Sequence, residues 1–338
     1  MSTVALVALA RPTFDLACAQ ANFDSARALL TELGATVVGP PELVMTVEDV
    51  AAVQLPYADL HILFMASFSD ASPAVELLGK VKGPVLGWSM REPGAVGDRL
   101  KLNSMCGVNL AAHALMNAGQ SIRHIHGNAD EPQVRTAIKD ALVGKLPEAS
   151  SPKPITGELG SESDAQKALD WLRGKKIGAV GEAPIGFTPC VYDAKQIHST
   201  FGLDIRQISI DDAFGRISEV KEEARELAYA NAVAAQPSLA AVNVEEAKKV
   251  YGVEVALDEW RKEEVLDAIA IRCWPEFPTD LGACICSSLG RLSDRGTVTT
   301  CERDVLGAVT MMVCESLGSD ENYLVDIVDL DASQGLVR

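Results

Sequence analysis

An α/β fold made of two doubly wound, Rossmann-like domains with parallel sheets is predicted by three observations. Apolar runs of strand length alternate with helical stretches along most of the chain. A proline- and serine-rich stretch, KLPEASSPKP at 145–154, divides that alternation into two halves. The chain has 338 residues, and domains commonly run to about 100–200 residues each. Strands alternating with helices imply parallel sheets covered on both faces. The expected organisation is a first α/β domain over 1–145, a linker over 146–156 and a second α/β domain over 157–338.

In the first domain, 4–9 reads as a buried strand and 23–33 as a helix with Ala26, Leu29, Leu30 and Leu33 on one face. Gly34 closes that helix, and 36–38 is a short strand. Runs 60–65, 84–88 and 121–126 are further strands. Stretches 73–78, 107–116 and 131–142 are the helices between them, the first with Ser72 as N-cap and Pro73 at its first position. In the second domain, 165–172 and 192–201 are helices, and 176–180 and 204–208 are strands. A long charged helical region covers 211–266, and its acidic run at 219–226 is a solvated face. Strands at 268–273, 297–301 and 323–328 then alternate with helices at 281–292 and 304–317.

Composition narrows the function classes. Lys and Arg number 30 against 47 Asp and Glu, a net charge of −17, and the sequence pI is about 4.7. Such a chain is not expected to bind nucleic acid, where affinity rests on cationic neutralisation of phosphates, or to adhere to anionic membranes. The apolar run 4–10 is too short to span a bilayer and lacks a preceding basic region, so a cytoplasmic protein without signal peptide is expected. The eight cysteines are scattered and read as reduced thiols. Cys284 and Cys286 form a tight pair with no second pair at zinc spacing. No GxGxxG follows the first strand, and neither GxxxxGK[ST] nor GxSxG occurs, which disfavours dinucleotide, nucleotide and serine-hydrolase chemistry. All five histidines precede residue 200, and His124 and His126 share one face of their strand.

Sites in open α/β sheets lie beyond the carboxyl ends of strands. Glu302 stands in such a place, after the strand 297–301 and just before a helix that Asp304 caps. Asp326 interrupts Leu324-Val-Asp-Ile-Val328, where period two sets it on the face of Leu324 and Val328. A carboxylate in an apolar strand is costly without a cation or several donors. Between Glu302 and Asp331 there are eight acidic residues and a single Arg. A hard divalent cation is therefore one partner for these carboxylates, and simple hydration at a strand end is the other reading.

Four segments together resemble the L-fucose isomerase family and its L-arabinose isomerase relatives. They are Arg11-Pro-Thr-Phe-Asp15; Arg91-Glu-Pro-Gly-Ala-Val96 with Leu110-Ala-Ala-His113; Arg272-Cys-Trp-Pro-Glu276; and Thr300-Cys-Glu-Arg-Asp-Val-Leu-Gly-Ala-Val-Thr-Met311 followed by Val325-Asp326. The resemblance implies aldose–ketose interconversion through an ene-diol, with a divalent metal, commonly Mn²⁺, and a small-molecule sugar as substrate. It implies that Glu302 and Asp326 ligate the metal and move protons, that Arg11, Asp15, Trp274 and Glu276 contact the sugar, and that the protein forms homo-oligomers. Family members continue into a third domain that supplies a histidine ligand, for which no residue up to Arg338 is a match. The alternative expectation is a non-catalytic sugar-binding or regulatory module lacking that domain.

Overall fold

The computed structural model describes residues 2–79, 81–95, 97–148, 160–331 and 335–338. Two compact units emerge: Met1–Pro154 together with Asp326–Arg338, and Ile155–Val325. Of the expected linker, 149–156 lies outside the described residues.

The first unit is built on β1 (Thr3–Leu9), α1 (Leu16–Glu32), β2 (Thr36–Val38), α2 (Val47–Val50), β3 (Leu60–Met65), α3 (Ser72–Leu78), β4 (Val85–Ser89), α4 (Ser104–Asn117), β5 (Ile122–His126) and α5 (Pro132–Leu142). Its five strands are all parallel, in the order β2-β1-β3-β4-β5. Alternation along each strand feeds two cores. Val4, Leu6 and Ala8 meet Phe23, Ala26 and Leu30 of α1 and Val134 and Ile138 of α5. Val7 and Leu9 meet Leu77 and Leu78 of α3 and Val108 and Leu115 of α4. Helices therefore cover both faces, as expected for a doubly wound sheet.

The second unit contains α6 (Glu162–Leu172), β6 (Lys176–Val180), α7 (Ala194–Phe201), β7 (Asp204–Ile208), α8 (Ile210–Glu219), α9 (Glu222–Ala235), α10 (Val244–Glu264), β8 (Ala268–Ile271), α11 (Cys286–Asp294), β9 (Val298–Thr300) and α12 (Val305–Ser316). Its sheet is parallel with order β7-β6-β8-β9. Ile269 and Ile271 pack with α8, α10 and α11 through Ile217, Trp260 and Leu289. Ala268 and Ala270 pack with α6, α7 and α12 through Leu172, Ile197 and Met312.

Several expectations change; α1 begins at Leu16 rather than 23, and β8 ends at Ile271 rather than 273. Ala71, not Ser72, precedes the first turn of α3, because Asp70 Oδ1 accepts the Ser72 amide at 2.9 Å and makes the turn itself. The helix expected from 281 begins at Cys286, since Gly282 at φ 78° ends a wide turn over Phe277–Leu281. The strand expected at 323–328 does not form. Leu324, Val325 and Ile327 are exposed and no ladder pairs with them, so Asp326 is a solvent-facing carboxylate rather than a buried one. Beyond it, β10 (Leu330–Asp331) and β11 (Leu336–Val337) form a small antiparallel hairpin in the first unit.

Gly178 shows how tightly the second sheet is packed. A Cβ there would stand 2.6 Å from both the Trp260 ring and the Leu266 side chain. Gly178→Ala is expected to destabilise the protein by about 1–3 kcal/mol through overpacking, read as a lower urea midpoint with unchanged slope.

Candidate functional site

In the first unit the strand order reverses between β1 and β3, the place where open sheets form a crevice. Arg11 follows β1. Its backbone amide donates to Ser67 Oγ at 3.0 Å, and its guanidinium lies 3.8 Å from Asp70 and 5.7 Å from the centre of the Phe68 ring. Asp15 caps α1 by accepting the Cys18 amide at 3.0 Å, and its own amide donates to Lys101 O. One carboxylate oxygen of Asp15 is thus occupied in holding the helix.

The loop before α4 closes the same crevice. Glu92, only 7% exposed, accepts the backbone amides of Lys101 at 2.5 Å and Asn103 at 2.7 Å, and both its oxygens face the Leu102 amide. A buried carboxylate survives where several donors replace its lost water. Leu102 O then accepts the Phe68 amide at 2.6 Å, and Ser104 Oγ both accepts from Met90 N and donates to Met65 O. The loop is stitched to the ends of β3 and β4. Asn103 is held in the left-handed region, φ 47° and ψ 39°, and its Nδ2 donates to Asp326 Oδ2 at 3.3 Å.

A polar chain runs along the ends of β4 and β5. Ser89 Oγ lies 2.8 Å from both His124 Nε2 and His126 Nδ1, and His126 Nε2 lies 2.6 Å from Asp329 Oδ1. A carboxylate can only accept, so His126 donates from Nε2 and leaves Nδ1 to accept the Ser89 hydroxyl. Ser89 Oγ in turn accepts from His124. Arg91 grips Glu131 with two bonds of 3.0 Å and reaches Asp329 at 3.2 Å. Burial pushes Glu131 up, but its bonds from Arg91 and the Asn128 amide outweigh this and hold its carboxyl below the ordinary range. Burial dominates at His126 and lowers its pKa, with Asp329 opposing only in part.

In the second unit, Glu302 and Arg303 follow β9 as successive left-handed residues, φ 56° and 57°. Glu302 N donates to Cys273 Sγ at 3.4 Å, and Arg303 N to Ile271 O at 2.9 Å. As expected, Asp304 caps α12 by accepting the Gly307 amide at 2.7 Å. The Arg303 side chain is buried against the Tyr192 ring, 4.9 Å from its centre, and donates to the Tyr192 hydroxyl at 3.1 Å. Burial, then Asp304 and Glu302, push the nearby Cys190 thiol to about 12. Glu276 is engaged in a two-pronged ion pair with Arg272. Trp274, half-buried, precedes Pro275 through a cis peptide.

Each candidate residue therefore has a definite place. Arg11, Asp15 and Asp326 belong to the first unit; Trp274, Glu276 and Glu302 belong to the second. In the sequence, Arg91 and Glu92 stand out only as part of the segment 91–96, and His124 and His126 only through their shared face; no site role is assigned there to any of them, nor to Asn103, Ser89 or Asp329.

No family model matches the chain. It is 30% identical to the sulfoquinovose isomerase of Alkalicoccus urumqiensis, across 98% of this chain and 70% of that protein. The chain belongs to the sulfoquinovose isomerase family. The sulfoquinovose isomerases of Clostridium sp. (strain MSTE9) and Priestia aryabhattai are 29% and 28% identical, each over 99% of this chain and 70% and 71% of their own lengths. Membership makes the chain an enzyme of the sugar aldose–ketose isomerase class, an intramolecular oxidoreductase. A glucose-galactose binding protein from Geobacillus stearothermophilus aligns at 13% identity, over 95% of this chain and 94% of its own, with a TM-score of 0.23, which carries no argument. Among the described residues no helix is long and apolar enough to cross a membrane.

Taken unit by unit, the described residues contain no group of three or more His, Cys, Asp or Glu able to hold a metal ion. Glu302 belongs to the second unit and Asp326 to the first, and no chemical step is derived through a metal.

The buried imidazole gives the isomerase a pH-dependent stability. The groups facing His126 are Asp329, Arg91, Glu131 and His124. Its folded pKa lies below the unfolded one, so the unfolded chain binds more protons. The contribution is complete above about pH 6.5 and is lost as pH falls from there toward the depressed folded value. Urea midpoints measured from about pH 7 down to about pH 5 should decline; burial also lowers His124, to about 4, so His126→Asn should reduce that slope without removing it.

Proposed function

We propose that the isomerase converts an aldose of the sulfoquinovose type into its ketose through an ene-diol intermediate, in the manner of the fucose isomerase-like enzymes. The observation that carries this reading is the alignment with sulfoquinovose isomerases over 98% of the chain. In an ene-diol mechanism a base takes the proton from carbon 2, and the freed electron pair forms the C1–C2 double bond. Reprotonation at carbon 1, with transfer of the hydroxyl proton, leaves the carbonyl at carbon 2. A hydrogen beside a sugar carbonyl is a weak acid, so the base needs a positioned carboxylate and the enediolate needs positive charge or donors nearby.

The carboxylates of Glu302 and Asp326 are the proton-moving groups in this reading. Glu302 is held in a strained backbone conformation, next in sequence to Arg303, whose buried guanidinium faces Glu182 at 3.6 Å and the Tyr192 ring. Arg11, Asp15, Trp274 and Glu276 are proposed to contact the sugar. For Asp15 and Glu276 this means sharing a carboxylate already engaged with the Cys18 amide or with Arg272. Dependence on a divalent cation, Mn²⁺ foremost, and assembly into homo-oligomers belong to the same reading and rest on the resemblance in the sequence.

The test is conversion of sulfoquinovose in deuterated water, followed by NMR, with chelator or added Mn²⁺ as separate arms. Ketose carrying deuterium at carbon 1 is the expected product, and chelator should abolish its formation. Glu302→Gln and Asp326→Asn should each lower kcat by about 10²–10⁴-fold while the protein stays folded. Full turnover in either folded variant would remove that residue from the mechanism, and sugar binding without exchange would favour a non-catalytic module.

A further inference from the structure

Asn103 presents an unusual combination. It stands between the buried Glu92, which holds its amide at 2.7 Å, and α4, whose Gly107 amide its carbonyl accepts at 3.3 Å. Its backbone is left-handed, a conformation glycine would adopt without strain. Its side chain is almost entirely buried, with the residue 6% exposed. Because the Asp326 carboxylate can only accept, the amide nitrogen must face it, and this fixes the orientation of the amide group. The other end, Oδ1, is buried and has no hydrogen-bond partner among the described residues. An orphaned buried acceptor is costly, and it is relieved by a donor brought in by a ligand. The carboxyl-end crevice, where β1 and β3 diverge, is where such a ligand enters an open sheet.

We infer that Asn103 is a specificity-determining and positioning residue: Oδ1 accepts a hydrogen bond from one hydroxyl of the sugar, while Nδ2 holds the Asp326 carboxylate. The inference rests on the isomerase reading above and adds to it the residue that reads a hydroxyl. A sugar hydroxyl is the matching chemistry, because it is a neutral donor that needs no counter-charge in a chain already strongly acidic. The carboxamide then links substrate orientation to the orientation of a proton-moving group. This explains why a side chain occupies a position whose backbone favours glycine.

The experiment compares wild type, Asn103→Gly and Asn103→Asp, with thermal melts and steady-state kinetics on sulfoquinovose and its single-deoxy analogues. Asn103→Gly relieves the left-handed strain and should melt no lower than wild type, yet lose about tenfold or more in kcat/KM. On the one analogue lacking the recognised hydroxyl, wild type should fall to the level of Asn103→Gly, and the variant should fall no further. Asn103→Asp keeps an acceptor for the sugar but puts a carboxylate beside Asp326, so kcat should fall while KM changes little. A folded Asn103→Gly within about twofold of wild type on every sugar overturns the inference. So does a loss of equal size on every deoxy analogue, the mark of a merely structural residue. Should the glycine variant fail to fold, a fully active Asn103→Asp overturns the role toward Asp326. Wild-type turnover combined with an unaffected variant sinks this inference alone, whereas no turnover of any sugar by wild type sinks the isomerase reading and this inference with it.

Discussion

One buried carboxylate organises the crevice of the first unit. Glu92 lies inside the protein with the backbone amides of Lys101, Leu102 and Asn103 gathered around its two oxygens. Hydrogen bonds to a charged acceptor are worth about 1.5–3 kcal/mol each, and leaving that acceptor unsatisfied would cost more. The loop must therefore follow the carboxylate. Once it does, the carbonyls of Lys101 and Leu102 fall where Asp15 and Phe68 donate to them, joining the loops after β1 and β3 to the loop after β4. Asn103 receives its strained backbone from the same arrangement.

The segment Asp326–Arg338 depends on that arrangement in turn. Arg338 donates to the carbonyls of Glu92 and Gly94, while Arg91 and His126 converge on Asp329. Arg338 and Asp329 also exchange backbone bonds at 3.0 and 3.3 Å, which tie the two arms of the small hairpin together. Asp326 is thus placed by ionic and backbone contacts made just beyond it in the sequence, at Asp329 and Arg338, without a sheet of its own. An exposed carboxylate in a chain with little local packing would sample many rotamers. Anchors at Asp329 and Asn103 reduce that freedom, as the proton-moving role proposed for Asp326 requires.

The parallel sheets were legible in the sequence because strands buried on both faces are written as continuous apolar runs, such as Leu60-His-Ile-Leu-Phe-Met65. Asp304 was legible as a cap for a local reason: its carboxylate reaches an amide three residues on. The run at 323–328 misled by the same logic. Its residues alternate like a strand, but strand formation needs a partner edge, and period two says nothing of whether one exists. Glu92 and Asn103 were hidden for a deeper reason. Nothing in Arg91-Glu-Pro-Gly marks a carboxylate that will be buried, since its compensating donors are backbone amides, and every residue but proline carries one. Likewise, His126 and Asp329 are 203 positions apart, so the chain connecting Ser89 to Glu131 exists only once the fold has formed.

Backbone strain alone does not mark function here. Val265 is also left-handed, at φ 53°, and is β-branched, which makes the conformation costlier still. Yet it is 71% exposed, ends α10, and precedes β8 at the amino edge of the sheet. There the strain serves to stop a helix and start a strand. Asn103, Glu302 and Arg303 differ on both counts. They lie toward the carboxyl ends of their sheets, and each is partly or wholly withdrawn from solvent. At such positions glycine would give the same turn without strain, so the retained side chains point to a use for an amide, a carboxylate and a guanidinium. Both units therefore bring strained polar side chains to the carboxyl edges of parallel sheets, where an α/β enzyme handles its substrate.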